Sequence, residues 1–175
     1  MRHILVLTAA CACALTAALT NVHSVAAEST SFVNPEDIQA QIDTYRKLSW
    51  RWQRLMSRPL TIQLPAPRPP LEERVTLWKQ HSTRMQLLAQ KPPHKRAWLC
   101  IHHFEGRWTD SGAPYYGGLQ MDYGFMSTYG RALLRRKGTA EHWTPLEQMW
   151  VAERALRSGR GFYPWPNTAR YCGLI

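Results

Sequence analysis

Acidic residues are scarce in this chain: 12 Asp and Glu stand against 22 Lys and Arg in 175 residues, which leaves a formal net charge of +10 and a pI near 9.9. After position 27 there is no apolar run of about 18 residues, so no membrane span is expected in the rest of the chain. Only four cysteines occur, and no CxxC pair is among them, which removes the usual two-cysteine metal site. The histidines have no ligand spacing either. His102 and His103 are adjacent and point about 100° apart on a helix, while His81, His94 and His142 are scattered. No metal and no cofactor are expected. Basic charge with interleaved Trp invites a nucleic-acid reading, but no nucleic-acid motif appears and none is expected as a partner. What is present argues for a folded domain. Eight Trp and a 45% hydrophobic share exclude wholesale disorder, and the length limits the chain to one domain or one domain with an appendage.

Residues 1–27 read as a secretory signal peptide. Arg2 and His3 open it, an apolar stretch runs from Ile4 to Leu19, and Val25-Ala26-Ala27 supplies the small residues of a cleavage site, so the cut is expected before Glu28. An uncleaved anchor would need a longer apolar stretch, and a lipoprotein cut at Cys11 would need a longer run ahead of it. Cleavage removes Arg2 and no acid, lowering the charge of +10 by one. The mature protein is expected outside the cell, enriched by long-range attraction at anionic wall polymers. Cys11 and Cys13 leave with the leader. Cys100 and Cys172 remain as an even pair in an oxidising space and are expected to form a disulfide, two buried thiols being the alternative.

Residues 28–96 read as a basic helical hairpin with a Pro-rich connector. Asn34-Pro35-Glu36-Asp37 carries the marks of a helix start: a capping Asn, a Pro for the first turn, and acids for the dipole. Ile38, Ile42, Tyr45, Ser49, Trp52 and Met56 then recur at steps of four and three, and Leu71, Val75, Trp78, Ser82, Met85 and Leu88 repeat the pattern. Five prolines between Pro59 and Pro70 make the connector extended. The two helices are expected to pack antiparallel on each other or on the rest of the protein.

Residues 97–175 hold the chemistry. Trp98, Ile101 or His102, Glu105 and Trp108 share a helix face, which places Glu105 beside aromatic rings. A carboxyl so placed loses hydration, its neutral form is favoured, and a neutral carboxyl can serve as a general acid. A surface Glu beside Arg107 is the plainer alternative. Tyr115-Tyr116-Gly117-Gly118-Leu119-Gln120 combines two glycines, two rings and an amide, a mixture suited to carbohydrate and equally to a hairpin turn. Asp122 is expected to cap a helix running to about Leu134. Thr144-Pro145-Leu146-Glu147 is a capping box, which explains Glu147 structurally and removes it as a catalyst.

These residues carry a resemblance. Trp98-x-x-Ile101-x-x-x-Glu105…Trp108, then Tyr115-Tyr116-Gly117-Gly118-Leu119-Gln120-x-Asp122, then Glu147-Gln148-x-x-Val151-Ala152-Glu153, then Trp165-Pro166…Cys172 resembles the catalytic domain of resuscitation-promoting factors, over residues 97–175. The resemblance implies a mainly α, compact lysozyme-like domain with a short β-hairpin, and peptidoglycan glycan strands as substrate. It places the family's catalytic glutamate on Glu105 and sugar contacts on Tyr116, Gln120 and Gln148. Trp108 and Trp165, from the same blocks, and Asp122 complete the expected substrate-binding set. The family usually has Cys directly before its Glu; here Phe104 stands there, with Cys100 one turn earlier and Cys172 correspondingly late.

The expected activity is cleavage of the N-acetylmuramic acid to N-acetylglucosamine bond, by lytic transglycosylation or by hydrolysis, with a partner peptidoglycan hydrolase as a further expected partner. Hydrolysis would call on a second carboxylate, for which Asp122 is kept, although capping explains it equally well. A wall protein that binds peptidoglycan without cutting it is the alternative.

Overall fold

The structure is a computed structural model and describes residues 34–64 and 69–175. The expected signal peptide at 1–27 and its cleavage point lie outside these residues. The described chain is mainly helical, with one two-stranded hairpin. Among the described residues, no helix is long and apolar enough to cross a membrane.

α1 spans Pro35–Leu55 and α2 spans Leu71–Ala89. Asn34 caps α1 by accepting the Glu36 N–H at 3.1 Å, and Pro35 fills the first turn. Both apolar stripes are used, but the helices run the same way. Ile38 and Ile42 at the start of α1 pack with Trp78, Val75 and Leu71 at the start of α2. Trp52 and Met56 at the end of α1 pack with Met85 and Ala89 at the end of α2. The expected antiparallel hairpin is therefore corrected to a parallel pair. The reason lies in residues 57–64 of the connector, which turn back along α1. Trp50 Nε1 donates to the Thr61 carbonyl at 2.7 Å, Gln53 holds Thr61 through two further bonds, and Leu64 reaches the Ile38 and Ile42 cluster. Extended chain gains about 3.3 Å per residue, so residues 57–64 can retrace most of the roughly 30 Å of α1. Ser49 and Ser82, both buried between the two clusters, keep the middle of each stripe small.

α3 (Lys95–Glu105) buries Trp98 and Ile101. β1 (Tyr115–Tyr116) and β2 (Met121–Asp122) pair antiparallel, Tyr115 opposite Asp122 and Tyr116 opposite Met121. α4 (Tyr123–Tyr129) and α5 (Arg131–Lys137) replace the single helix expected from Asp122 to Leu134. Gly130, at φ −121° and ψ 13°, separates the two, and the Trp143 ring fills the space beside its α-carbon: a Cβ there would stand 2.5 Å from the indole. α6 (Pro145–Ala155) starts with the capping box of Thr144 and Glu147 and is buried almost all round, from Glu147 through Glu153. A wide turn, Leu156–Arg160, follows, with Gly159 at φ 91°. α7 (Pro166–Tyr171) closes the chain.

The main core gathers Trp98, Ile101, Leu119, Met121, Met126, Val151 and Trp165 around α6. The ends of α1 and α2 meet α6 through Trp150, whose Nε1 donates to the Ala89 carbonyl at 2.7 Å. Cys100 on α3 and Cys172 just after α7 form a disulfide.

Candidate active site

Glu105 is the last residue of α3 and is half-buried. The Thr168 hydroxyl, itself buried on α7, donates to Glu105 Oε1. On the other side the chain leaves through Gly106, at φ 144°, a conformation that suits glycine. A Cβ at Gly106 would stand 3.4 Å from Asp110 Oδ2 and 3.6 Å from Gln120 Nε2. The carboxyl group is thus held from α7, and the glycine that follows it packs on the loop leading into the hairpin.

That loop is tied together by Asp110. Its Oδ2 accepts from Gln120 Nε2 at 2.8 Å, its Oδ1 accepts the Gly112 N–H at 3.1 Å, and its carbonyl accepts the Gly117 N–H at 2.7 Å. Gln120 also donates to the Gly117 carbonyl at 3.0 Å, so its NH2 is engaged with the protein while its carbonyl oxygen keeps acceptor capacity. A cleft of about 380 Å³ opens on the far side of Gln120, walled by Tyr115, Gln120, Asp122, Phe125, Arg160 and Trp165 among others; Glu105 itself does not line it.

The expected site residues divide. Gln120 and Asp122 reach this cleft. Asp122 is exposed and caps α4, accepting the Phe125 N–H at 2.6 Å. Trp165 contributes to the cleft wall, but its ring is 4% exposed and its Nε1 donates to the Leu119 carbonyl at 2.6 Å, so it supports the cleft from within the core. Of the two tyrosines, Tyr115 is exposed at the cleft and Tyr116 packs on the core. The strand pairing dictates this, since adjacent strand residues face opposite sides.

Gln148 is corrected. It is fully buried, and its Nε2 donates to the carbonyls of Trp108, Ala140 and Trp143 at 2.8, 2.8 and 3.2 Å, so no sugar can reach it in this conformation. Trp108 is half-buried, stacks on His102 with ring centroids 3.9 Å apart, and lines a different cavity. The two glycines do let the backbone approach something flat, but that surface is the protein's own. A Cβ at Gly117 would fall 2.6 Å from Gln148 Oε1, and one at Gly118 would fall 2.8 Å from the Trp108 ring.

Sequence reasoning missed Thr168, Tyr115, Phe125 and Arg160. Thr168 had a usable signal: it lies four residues before Cys172 and Glu105 lies five after Cys100, so pairing the cysteines on antiparallel helices sets the two against each other. Glu153 is a separate surprise. It is fully buried and accepts from Trp98 Nε1 and the His94 N–H, each at 2.8 Å, joining α3 to α6 instead of pairing with Arg154 or Arg157. Glu147 keeps its capping role and adds an ion pair to Lys137 at 2.7 Å. Burial pushes its carboxyl up, but the Lys137 hydrogen bond, the Thr144 N–H and the Lys137 charge outweigh burial and hold it below the ordinary value of 4.5. Among the described residues no three His, Cys, Asp or Glu side chains cluster as metal ligands.

Compared with known proteins, the chain matches no family model, no curated protein and no solved structure.

Proposed function

We propose that the protein is a secreted peptidoglycan glycosidase of lysozyme-like fold, similar to the resuscitation-promoting factors, with Glu105 as its general acid. The observation that carries this reading is the placement of Glu105. A carboxyl group at the end of a helix has one oxygen held by Thr168, and the adjacent glycine abuts Asp110 and Gln120, of which Gln120 lines the cleft. The glycan strand would lie along the cleft, stacked on Tyr115 and donating hydroxyl hydrogens to the Gln120 carbonyl.

In the first step protonated Glu105 gives its proton to the glycosidic oxygen as the bond to the muramic anomeric carbon breaks, and oxocarbenium character develops there. Glu105, now a carboxylate, accepts a proton from the attacking hydroxyl. If that hydroxyl is the substrate's own C6 group, the product is a 1,6-anhydro end; if it is water, the product is a reducing end. Both carboxylate oxygens of Asp110 already accept protein N–H groups, which fits it to hold Gln120, and Asp122 is engaged at its cap. Neither is placed as an obvious water-activating base, which favours the transglycosylase outcome.

Digestion of purified sacculi tests the reading. Wild type is expected to release muropeptides, with anhydro ends seen by mass spectrometry, and Glu105→Gln to lose at least roughly 100-fold. Sacculi that bind the wild-type protein but yield no fragments would establish instead a non-catalytic wall-binding protein.

A further inference from the structure

A second cavity, of about 630 Å³, opens where the ends of α1 and α2 meet α3, α5 and α6, and it shares no lining residue with the cleft at Gln120 and Tyr115. Its volume lies within the roughly 300–1,000 Å³ typical of small-molecule sites. Its walls are largely apolar, with Trp52, Leu55, Leu99, Leu133, Leu146 and Met149. Its cations are Arg51, Arg54, Lys95, Arg136 and Arg154, and its one acid, Glu147, is already committed to Lys137 and to the α6 cap.

This leaves positive charge without a counter-ion. Among the described residues Arg51, Arg54, Lys95 and Arg154 make no ion pair. Arg154 is half-buried, and its guanidinium is held only by neutral acceptors, the Tyr129 carbonyl at 2.6 Å, the Leu55 carbonyl at 2.8 Å and the Ser57 hydroxyl at 3.5 Å. Burial, with Arg157 nearby, brings Arg154 down to about 10. A partly desolvated cation set against neutral oxygens alone gains from an anion far more than an exposed one does.

We propose that this cavity binds an anionic amphiphile: a molecule whose phosphate or carboxylate head sits among Arg51, Arg54 and Arg154 and whose single alkyl chain lies against Trp52, Leu99 and Leu146. The two halves of the surface ask for the two halves of such a ligand. A plain anion leaves the apolar wall wet, and a neutral chain leaves the cations uncompensated. The proposal does not depend on the role of Glu105.

Calorimetric titration of the mature chain with dodecyl phosphate, kept below its micelle concentration, tests it. The expected result is one molecule bound per chain, at least about tenfold tighter than either dodecyl maltoside or inorganic phosphate. Leu99→Glu and Arg54→Glu should each weaken binding by about tenfold or more, while Glu105→Gln leaves it unchanged. Leu99 is 44% exposed, so the fold should tolerate the change, and Arg54→Glu carries the test if it does not. Sedimentation with phosphatidylglycerol vesicles, competed by dodecyl phosphate, would assign the head group to a membrane lipid, and its absence beside tight binding of the monomer would assign it to a free amphiphile. No binding, equal binding of the uncharged maltoside or of phosphate alone, or binding untouched by both variants overturns the proposal.

Discussion

Thr168 and Glu105 are hydrogen-bonded across α3 and α7, and the Cys100–Cys172 bridge closes the same pair of helices about one turn further on. The two links make α7 an arm that fixes one carboxylate oxygen and leaves the other for a ligand. Thr168→Val keeps the shape and removes the donor. It should lower sacculus cleavage by about tenfold, less than Glu105→Gln, and shift the alkaline limb of the pH–rate profile, where a general acid loses its proton, while costing about 1 kcal/mol of stability in chemical denaturation. An unaltered pH profile would leave Thr168 a purely structural residue.

The disulfide closes a long loop, with 72 residues separating its cysteines. Replacing both cysteines by Ser is expected to destabilise the protein by about 4 kcal/mol in the chain-entropy account. Because the bridge seats Thr168, activity should fall even at temperatures where the double variant remains folded by circular dichroism.

Gly130→Ala places a methyl group 2.5 Å from the Trp143 ring and 3.1 Å from the Met126 carbonyl. Overpacking of this kind costs typically 1–3 kcal/mol. A melting temperature equal to that of wild type would mean that the Trp143 ring gives way to the methyl group at no cost.

Glu147 gives a pH signature. Its carboxyl is held below 4.5 in the folded chain, so the stabilisation it supplies is complete above that value and disappears as the pH falls through the lower, folded one. Glu147→Gln should therefore melt earlier than wild type at pH 7, and the two curves should converge as the pH falls through the lowered, folded-state value. A gap that stays constant down to pH 3 would exclude a charge-based contribution.

The helices themselves were largely legible in the sequence. Caps and periodicity located α1, α2 and α6, because those signals are local. Direction was not. The stripes at 38, 42, 45, 49, 52 and at 71, 75, 78, 82, 85 match in either orientation, and only the return of Thr61 to Gln53 and Trp50 makes the pair parallel. At the cleft, the hairpin was readable from its glycines and tyrosines, and Gln120 and Asp122 reach it. Trp165 and Gln148 are expected to bind substrate, yet both are buried, because an aromatic or amide in a motif gives no sign of whether its partner is a sugar or the protein's own backbone. Tyr115 against Tyr116 turned on strand parity, which a two-residue strand leaves no pattern to reveal.

The same-way run of α1 and α2 has a mechanical result. Residue 34 sits at the outer tip of a rod about 30 Å long, whose opposite end is anchored at Trp150. Tension applied there would drag α1 lengthwise past its neighbour, so both hydrophobic clusters must yield together instead of unzipping in turn, and the rod should behave as a stiff outrigger.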